Sequence, residues 1–236
     1  MTMIPRRRWL QGAGAVLMTP GIAAAAETPT YDYLFLDLED AAAGTNPARA
    51  YAGHLRSRVA GLAAAGGEVV GYFTPQLGWV ARQVALLVRW SPEASNRDRE
   101  LVSVMRDKTV RTGQRAGLQA TTRPGPTDRP PPGGIYVHRW FVVETKNVPE
   151  FLTLSSEGWR DFEVRFETKI FGLFTAERSL ADRQAGVTRL LLITRYASHG
   201  VWEASRDPST AAMAAFARRQ LLTRDSWAAS TVLVPV

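Results

Sequence analysis

The chain has 236 residues, a formal net charge of +7, 45% hydrophobic residues and no cysteine. This is the make-up of an ordinary globular protein, and the missing thiols exclude disulfides, thiolate catalysis, cysteine-ligated zinc or iron–sulfur centres and a lipid-bearing anchor cysteine. Basic and acidic residues are interspersed outside the N-terminus, so no basic stripe marks a nucleic-acid surface.

Arg6-Arg7-Arg8-Trp9-Leu10-Gln11 precedes a weakly apolar Gly/Ala-rich run that ends in Ala23–Ala26. The order basic, apolar, small is that of an export signal, and two arginines, a variable residue, a large apolar pair and a polar residue resemble the twin-arginine pattern. The run is too short and too broken by glycine for the ~20 residues of a spanning helix; an N-terminus that is disordered or lies on a membrane surface is the other reading. Cleavage after Ala26 leaves 210 residues (236 less 26) and, with three arginines removed, a net charge of +4. The expected location is periplasmic or secreted, with no stable membrane insertion after processing. At that length, packing alone can hold a fold together without disulfides.

Residues 31–39 alternate Tyr33, Phe35, Asp37 and Glu39 with Leu34, Leu36 and Leu38, a period of two and hence a strand with two distinct faces. Asn46 and Pro47 suit a helix start, with Tyr51, Leu55, Val59 and Leu62 at helical spacing until Gly66-Gly67. Strands are expected at 68–74 and 80–90, a helix opened by Ser91-Pro92-Glu93, and a weaker strand at 118–123. Five prolines between Arg123 and Pro132 cannot sit inside a helix or sheet and read as a stiff linker. The second half then repeats the order: strand 135–143, helix capped by Asn147, strands 168–175 and 187–196, helical material at 198–224 interrupted at Asp207-Pro208, and a final strand from Trp227.

The repeat is visible in the letters. Gly71-Tyr72-Phe73-Thr74 returns 101 residues later as Gly172-Leu173-Phe174-Thr175, and Asn46-Pro47 returns as Asn147-Val148-Pro149. The reading is α+β: residues 1–26 a signal, 30–123 and 134–236 two tandem ferredoxin-like β-α-β-β-α-β modules, and 124–133 the linker. Each module leaves one sheet face bare, and the two halves can serve as each other's partner by closing sheet to sheet into an intrachain barrel with a central cavity and outer helices. Further homo-oligomerisation stays open.

Gly134-Ile135-Tyr136-x-x-Arg139-x-Phe141, the two Gly-x-Phe-Thr strands, Arg195-Tyr196-x-Ser198 and Trp202-Glu203-Ala204-Ser205-Arg206 resemble a tandem NIPSNAP-type protein of the dimeric α/β-barrel superfamily. The resemblance implies a ferredoxin-like barrel, in a group that ranges from cofactor-free oxygenases to haem enzymes to proteins without an established reaction. Its first strand usually reads Glu-x-Arg-x-Tyr; this chain keeps Arg139 but has Val137 and Phe141 at the flanking positions.

Candidate ligand-binding residues are Asp37, Tyr72, Arg89, Arg139 and Arg195. Alternation puts Val137, Arg139 and Phe141 on one strand face, and Phe35, Asp37 and Glu39 on the face taken as equivalent; if both line the cavity, Arg139 holds an anion and Asp37 orients it. The competing reading pairs Asp37 with Arg139. Arg89 before Trp90 and Arg195 before Tyr196 lean over a planar ligand or snorkel at strand ends. His54, His138 and His199 match no metal-ligand spacing, so no metal and no cofactor is expected, with a single axial histidine for haem as the alternative. No nucleophile elbow, phosphate loop or dinucleotide fingerprint occurs. The chain thus reads as an exported protein that binds a small, planar or anionic organic molecule in its barrel, as a cofactor-independent oxygenase-like enzyme or as a non-catalytic binding or interaction protein whose barrel is filled. A chlorite-dismutase-like haem enzyme is the third reading.

Overall fold

In the computed structural model, which describes residues 29–41 and 44–236, the two halves have the same order of main elements. The first is β1 (Thr30–Leu38), α1 (Pro47–Ala64), β2 (Gly67–Leu77), β3 (Gln83–Trp90), α2 (Arg97–Met105) and β4 (Val110–Arg123). The second is β5 (Ile135–Glu144), α3 (Val148–Arg165), β6 (Thr168–Ala176), a short α4 (Leu180–Gln184), β7 (Val187–Tyr196), a short α5 (His199–Ala204), α6 (Ala211–Leu221) and β8 (Thr223–Leu233). The export segment, residues 1–26, lies outside the described residues.

Local chemistry accounts for most boundaries. Asn46 accepts from the Arg49 amide at the start of α1, and Gly66 takes the positive φ of 82° that ends it. Two starts differ from expectation. Asn96, not Ser91, precedes α2, because residues 91–95 turn back onto the end of α1 through Ser95 N–Ala65 O. Asn147 precedes α3 without a side-chain cap bond; it closes a 3-10 turn over 145–147 that already organises the entry. Strand β4 begins eight residues before the expected Leu118, since its exposed N-terminal part pairs with β1 and carries little apolar signal.

The strands form one closed barrel in the order β1-β3-β2-β8-β5-β7-β6-β4, antiparallel throughout. The halves join edge to edge, β2 to β8 and β4 to β6, so neither sheet keeps an open edge. Strands β1 and β5 run the same way, which places the starts of both at a lower mouth and their ends at an upper mouth.

The barrel interior is packed. Tyr31, Tyr33, Phe73, Tyr136, Trp140 and Phe174, with Leu87, Leu191 and Ile193, form one buried cluster inside it. The expected central cavity is therefore corrected: aromatic rings from both halves fill the space that a ligand would need. Two further cores lie outside the barrel, one under α1 and α2 and one under α3 and α6.

The repeated Gly-x-Phe-Thr has a packing cause. Each glycine sits at a β-bulge, and a Cβ on Gly71 would lie 2.4 Å from the Phe73 ring, one on Gly172 2.7 Å from the Phe174 ring. The missing side chain lets each ring fold back into the barrel. Gly71→Ala is expected to cost about 1–3 kcal/mol by overpacking, read as a lower urea midpoint at constant m-value. An unchanged midpoint would refute this account.

The proline-rich segment 124–134 does more than connect. It crosses the lower mouth, where Asp128 O accepts from Arg89 Nη1 at 3.1 Å, Gly133 O from Arg195 Nε at 3.2 Å and Pro131 O from the Tyr136 hydroxyl. Among the described residues no helix is long and apolar enough to cross a membrane.

Candidate functional site

The site lies on the outer face of the second half's sheet. Helix α3 buries Phe151, Leu154, Ser155, Gly158, Trp159 and Phe162, a stripe at helical spacing. Gly158 admits α6: a Cβ there would lie 2.3 Å from the Phe216 ring. Ser198 caps α5 through the Val201 amide, Thr210 caps α6 through the Met213 amide, and Asp207-Pro208 separates the two helices. Together they leave a cavity of about 260 Å³ between strands β5, β6 and β7 and helices α3, α5 and α6.

Its apolar wall is Phe141, Trp159, Phe162, Ile170, Leu192 and Phe216; its polar groups include Arg139, Arg206, Arg219, Thr194, Tyr196 and Ser205. No carboxylate among the described residues lines it. Arg219 is 8% exposed, donates from Nη1 to Ser155 Oγ at 3.2 Å, and lies 4.9, 5.2 and 4.6 Å from the ring centroids of Phe141, Phe151 and Phe216. Among the described residues Ser155 is the one hydrogen-bond acceptor of its five N–H donors, which leaves a guanidinium that is positioned with donors to spare. Burial, and then repulsion from Arg139, push its pKa down to about 9, so it stays cationic at neutral pH. Arg139 is half-buried, and among the described residues no hydrogen bond or ion pair to a protein group holds it; burial and then Arg206 lower its pKa. Burial raises the Tyr196 pKa, although the three arginines and Ser205 pull it the other way.

The first half is a built-in comparison. Thr30 pairs with Trp90 and Asp32 with Val88 in β1–β3, as Ile135 pairs with Tyr196 and Val137 with Thr194 in β5–β7. By that register Asp32 corresponds to Val137, and Leu34 to Arg139. In the first half the space is closed by Tyr51, Tyr72 and Trp90, and Asp32, 0% exposed, accepts from Arg97 Nε and Arg115 Nε, both at 2.7 Å, and from Trp90 Nε1 at 2.9 Å. There the chain supplies its own anion. In the second half it supplies cations alone.

The residues singled out from sequence do not converge. Asp37 faces the upper mouth and pairs with Arg82 at 2.7 Å; Arg139 is on the other side of the barrel wall, so neither the shared ligand nor the mutual ion pair forms. The error is one residue of register: β1 turns Tyr31, Tyr33 and Phe35 inward, and β5 turns Tyr136, His138 and Trp140 inward, leaving Arg139 to the helices. Tyr72 donates to Ala48 O at 2.6 Å beneath α1. Arg89 pairs with Glu68, Nε to Oε2 at 3.1 Å, and like Arg195 braces the lower-mouth segment. Of the five, Arg139 alone lines the cavity. Asp32 and Arg219 were missed, although Ala212, Ala215 and Arg219 share one face of α6, an arginine on an otherwise apolar stripe.

The donor set does not fit an axially ligated haem in this pocket, because no histidine lines it. His54 pairs with Asp107 at 2.8 Å, His138 is inside the barrel bonded to the Tyr33 hydroxyl at 2.9 Å, and His199 meets Ser230 Oγ at 3.2 Å. Of the other lining atoms able to ligate iron, the Tyr196 oxygen is held in its phenol form by burial, and the Met213 sulfur is a thioether, which serves haem iron beside a histidine.

No protein-family model matches the sequence, and no curated protein does. Solved structures are similar in fold. A provisionally assigned monooxygenase from Lactobacillus acidophilus NCFM superposes with a TM-score of 0.55 at 10% identity, over 88% of this chain and 94% of that one. An anthrone oxidase-like protein gives 0.54 at 12% identity over 89% and 93%, and a provisionally assigned chlorite dismutase 0.51 at 10% over 88% and 96%. At such identities the likeness concerns architecture: this chain has the ferredoxin-like α/β-barrel fold, with both modules on one polypeptide.

Proposed function

We propose that the protein is an exported, NIPSNAP-like α/β-barrel protein that binds a small anionic organic molecule in the cavity of its second half. The barrel core and the first half act as scaffold. One observation carries this reading: Arg139 and Arg219 share a cavity that has an aromatic wall and no carboxylate among the described residues, whereas the equivalent space in the first half is neutralised by Asp32. Buried guanidinium groups without an anion are costly, and a ligand's acidic group removes that cost. The names of the fold neighbours, monooxygenase and anthrone oxidase-like among them, support a small organic ligand. Binding is favoured over proton abstraction because the pocket lacks a carboxylate or imidazole, and Tyr196 is protonated at neutral pH.

Native mass spectrometry of protein recovered from the periplasmic fraction tests both parts. The mature chain is expected from Glu27 onward, carrying an anionic small molecule that Arg139→Met releases. Recovery of only the unprocessed chain from the cytoplasm overturns export, and retention of the same molecule by Arg139→Met overturns the pocket.

A further inference from the structure

We infer that the ligand is an aromatic carboxylate, one ring bearing one carboxylate, and not a phosphorylated compound or a neutral arene; this rests on the pocket assigned above. The first argument is the chain's own solution in its first half, where two arginines and an indole N–H converge on the carboxylate of Asp32. The second half holds the same donor types. Arg139 has no protein acceptor, Arg219 has one, and the Trp159 indole N–H in the cavity wall is buried without a partner.

The second argument separates carboxylate from phosphate. Phosphate sites usually add free backbone N–H groups at a helix N-terminus or turn. Here three first-turn amides are already engaged: Met213 N donates to Thr210 Oγ1 and Ala212 N to Asp161 Oδ2, both at 3.2 Å, and Val201 N donates to Ser198 Oγ at 3.2 Å. Of the three lining arginines, Arg206 is exposed and stacked on the Trp202 ring, which leaves the guanidinium forks of Arg139 and Arg219 inside, a geometry that matches a carboxylate two oxygens at a time. Arg219 is fixed in advance by Ser155 and three phenylalanine rings, so little side-chain entropy is lost on binding.

The third argument is the wall. Phe141, Phe162, Phe216 and Trp159 line the space, and about 260 Å³ lies at the small end of ligand cavities. One ring with a short acidic arm suits it.

Calorimetric titration of the purified protein with benzoate, phenylacetate, benzamide, phenyl phosphate and inorganic phosphate reads the inference directly. Benzoate or phenylacetate is expected to bind at least about tenfold more tightly than benzamide, which has the same outline without the charge, and than either phosphate compound. Arg139→Met should weaken the carboxylate by about tenfold or more while the ligand-free melting temperature stays within a few degrees, since Arg139 holds nothing in the protein. Arg219→Met should lower both. Tighter binding of phenyl phosphate, equal binding of benzamide, or indifference of benzoate affinity to Arg139→Met overturns the proposal. If neither carboxylate binds but Arg139→Met still releases a co-purified anion, the class is wrong and the pocket stands; if that anion is retained, both fall.

Discussion

Asp32→Ala is expected to destabilise the protein by about 2–4 kcal/mol, the cost of leaving a buried indole N–H and two part-exposed guanidinium groups without their shared acceptor. Asp32 is fully buried and is the acceptor for Arg97, Arg115 and the Trp90 indole. After its removal Arg97 retains Thr30 Oγ1 at 3.0 Å and Arg115 retains the exposed Asp98 at 2.7 Å, but the indole N–H has nowhere to turn. The truncation also opens a hole shaped for a small carboxylate, so acetate should restore part of the loss by mass action, with chloride at equal ionic strength as the control. Urea unfolding with each salt measures this. A loss below about 1 kcal/mol would mean that the arginines relax into solvent and that the site stores no uncompensated charge. Its failure would also weaken the comparison between the halves on which the second-half pocket depends.

Acid should destabilise the native state through one imidazole. His138 is 1% exposed in the barrel interior; its Nδ1 meets the Tyr33 hydroxyl at 2.9 Å and its Nε2 has no partner. Rings of Phe73 and Trp79 stand edge-on at 4.5 and 5.6 Å. Burial pushes its pKa from 6.5 down to about 3. The folded state therefore refuses a proton that the unfolded chain accepts below pH 6.5, so stability present at neutral pH is lost as the pH falls from 6.5 toward 3 and the loss is complete below that. A shift of this size corresponds to something on the order of 4–5 kcal/mol. The double variant Tyr33→Phe, His138→Phe removes the imidazole without stranding the hydroxyl, and should flatten the acid limb of a stability–pH curve whatever it does to stability at pH 7. An unchanged slope between pH 6.5 and 3 would assign acid sensitivity to carboxylates such as Asp107, whose pKa is lowered by Thr109, His54 and Arg58 against the opposing effect of burial.

Much of the fold was legible because it rests on local physics. Period-two alternation in residues 31–39, the Asn46-Pro47 start, the prolines of 124–132 and the 101-residue echo of Gly-x-Phe-Thr each follow from backbone geometry or chain duplication. The site was less legible. Alternation says that a strand has two faces; it does not say which one meets the helices when both are apolar. In β5, Tyr136 and Trp140 on one side and Val137 and Phe141 on the other are all buried, and the assignment of Arg139 to the barrel interior failed at that ambiguity. The equivalent strand β1 misled further, because its inward Asp37 sits at the mouth, where a carboxylate is affordable.

By itself the sequence determined the α+β class, the tandem β-α-β-β-α-β order and the absence of thiol chemistry, and it singled out Arg139 as a candidate. Tertiary structure alone decided that the barrel closes on its own rings, that Asp32 neutralises one half, and that Arg219 comes to rest near Arg139 from a helix 80 residues further along. The division has a physical reason. Propensity, capping and periodicity act over a few residues, whereas the charge balance of a buried space depends on which distant side chains meet there, and that is settled only when the sheet closes and the helices dock.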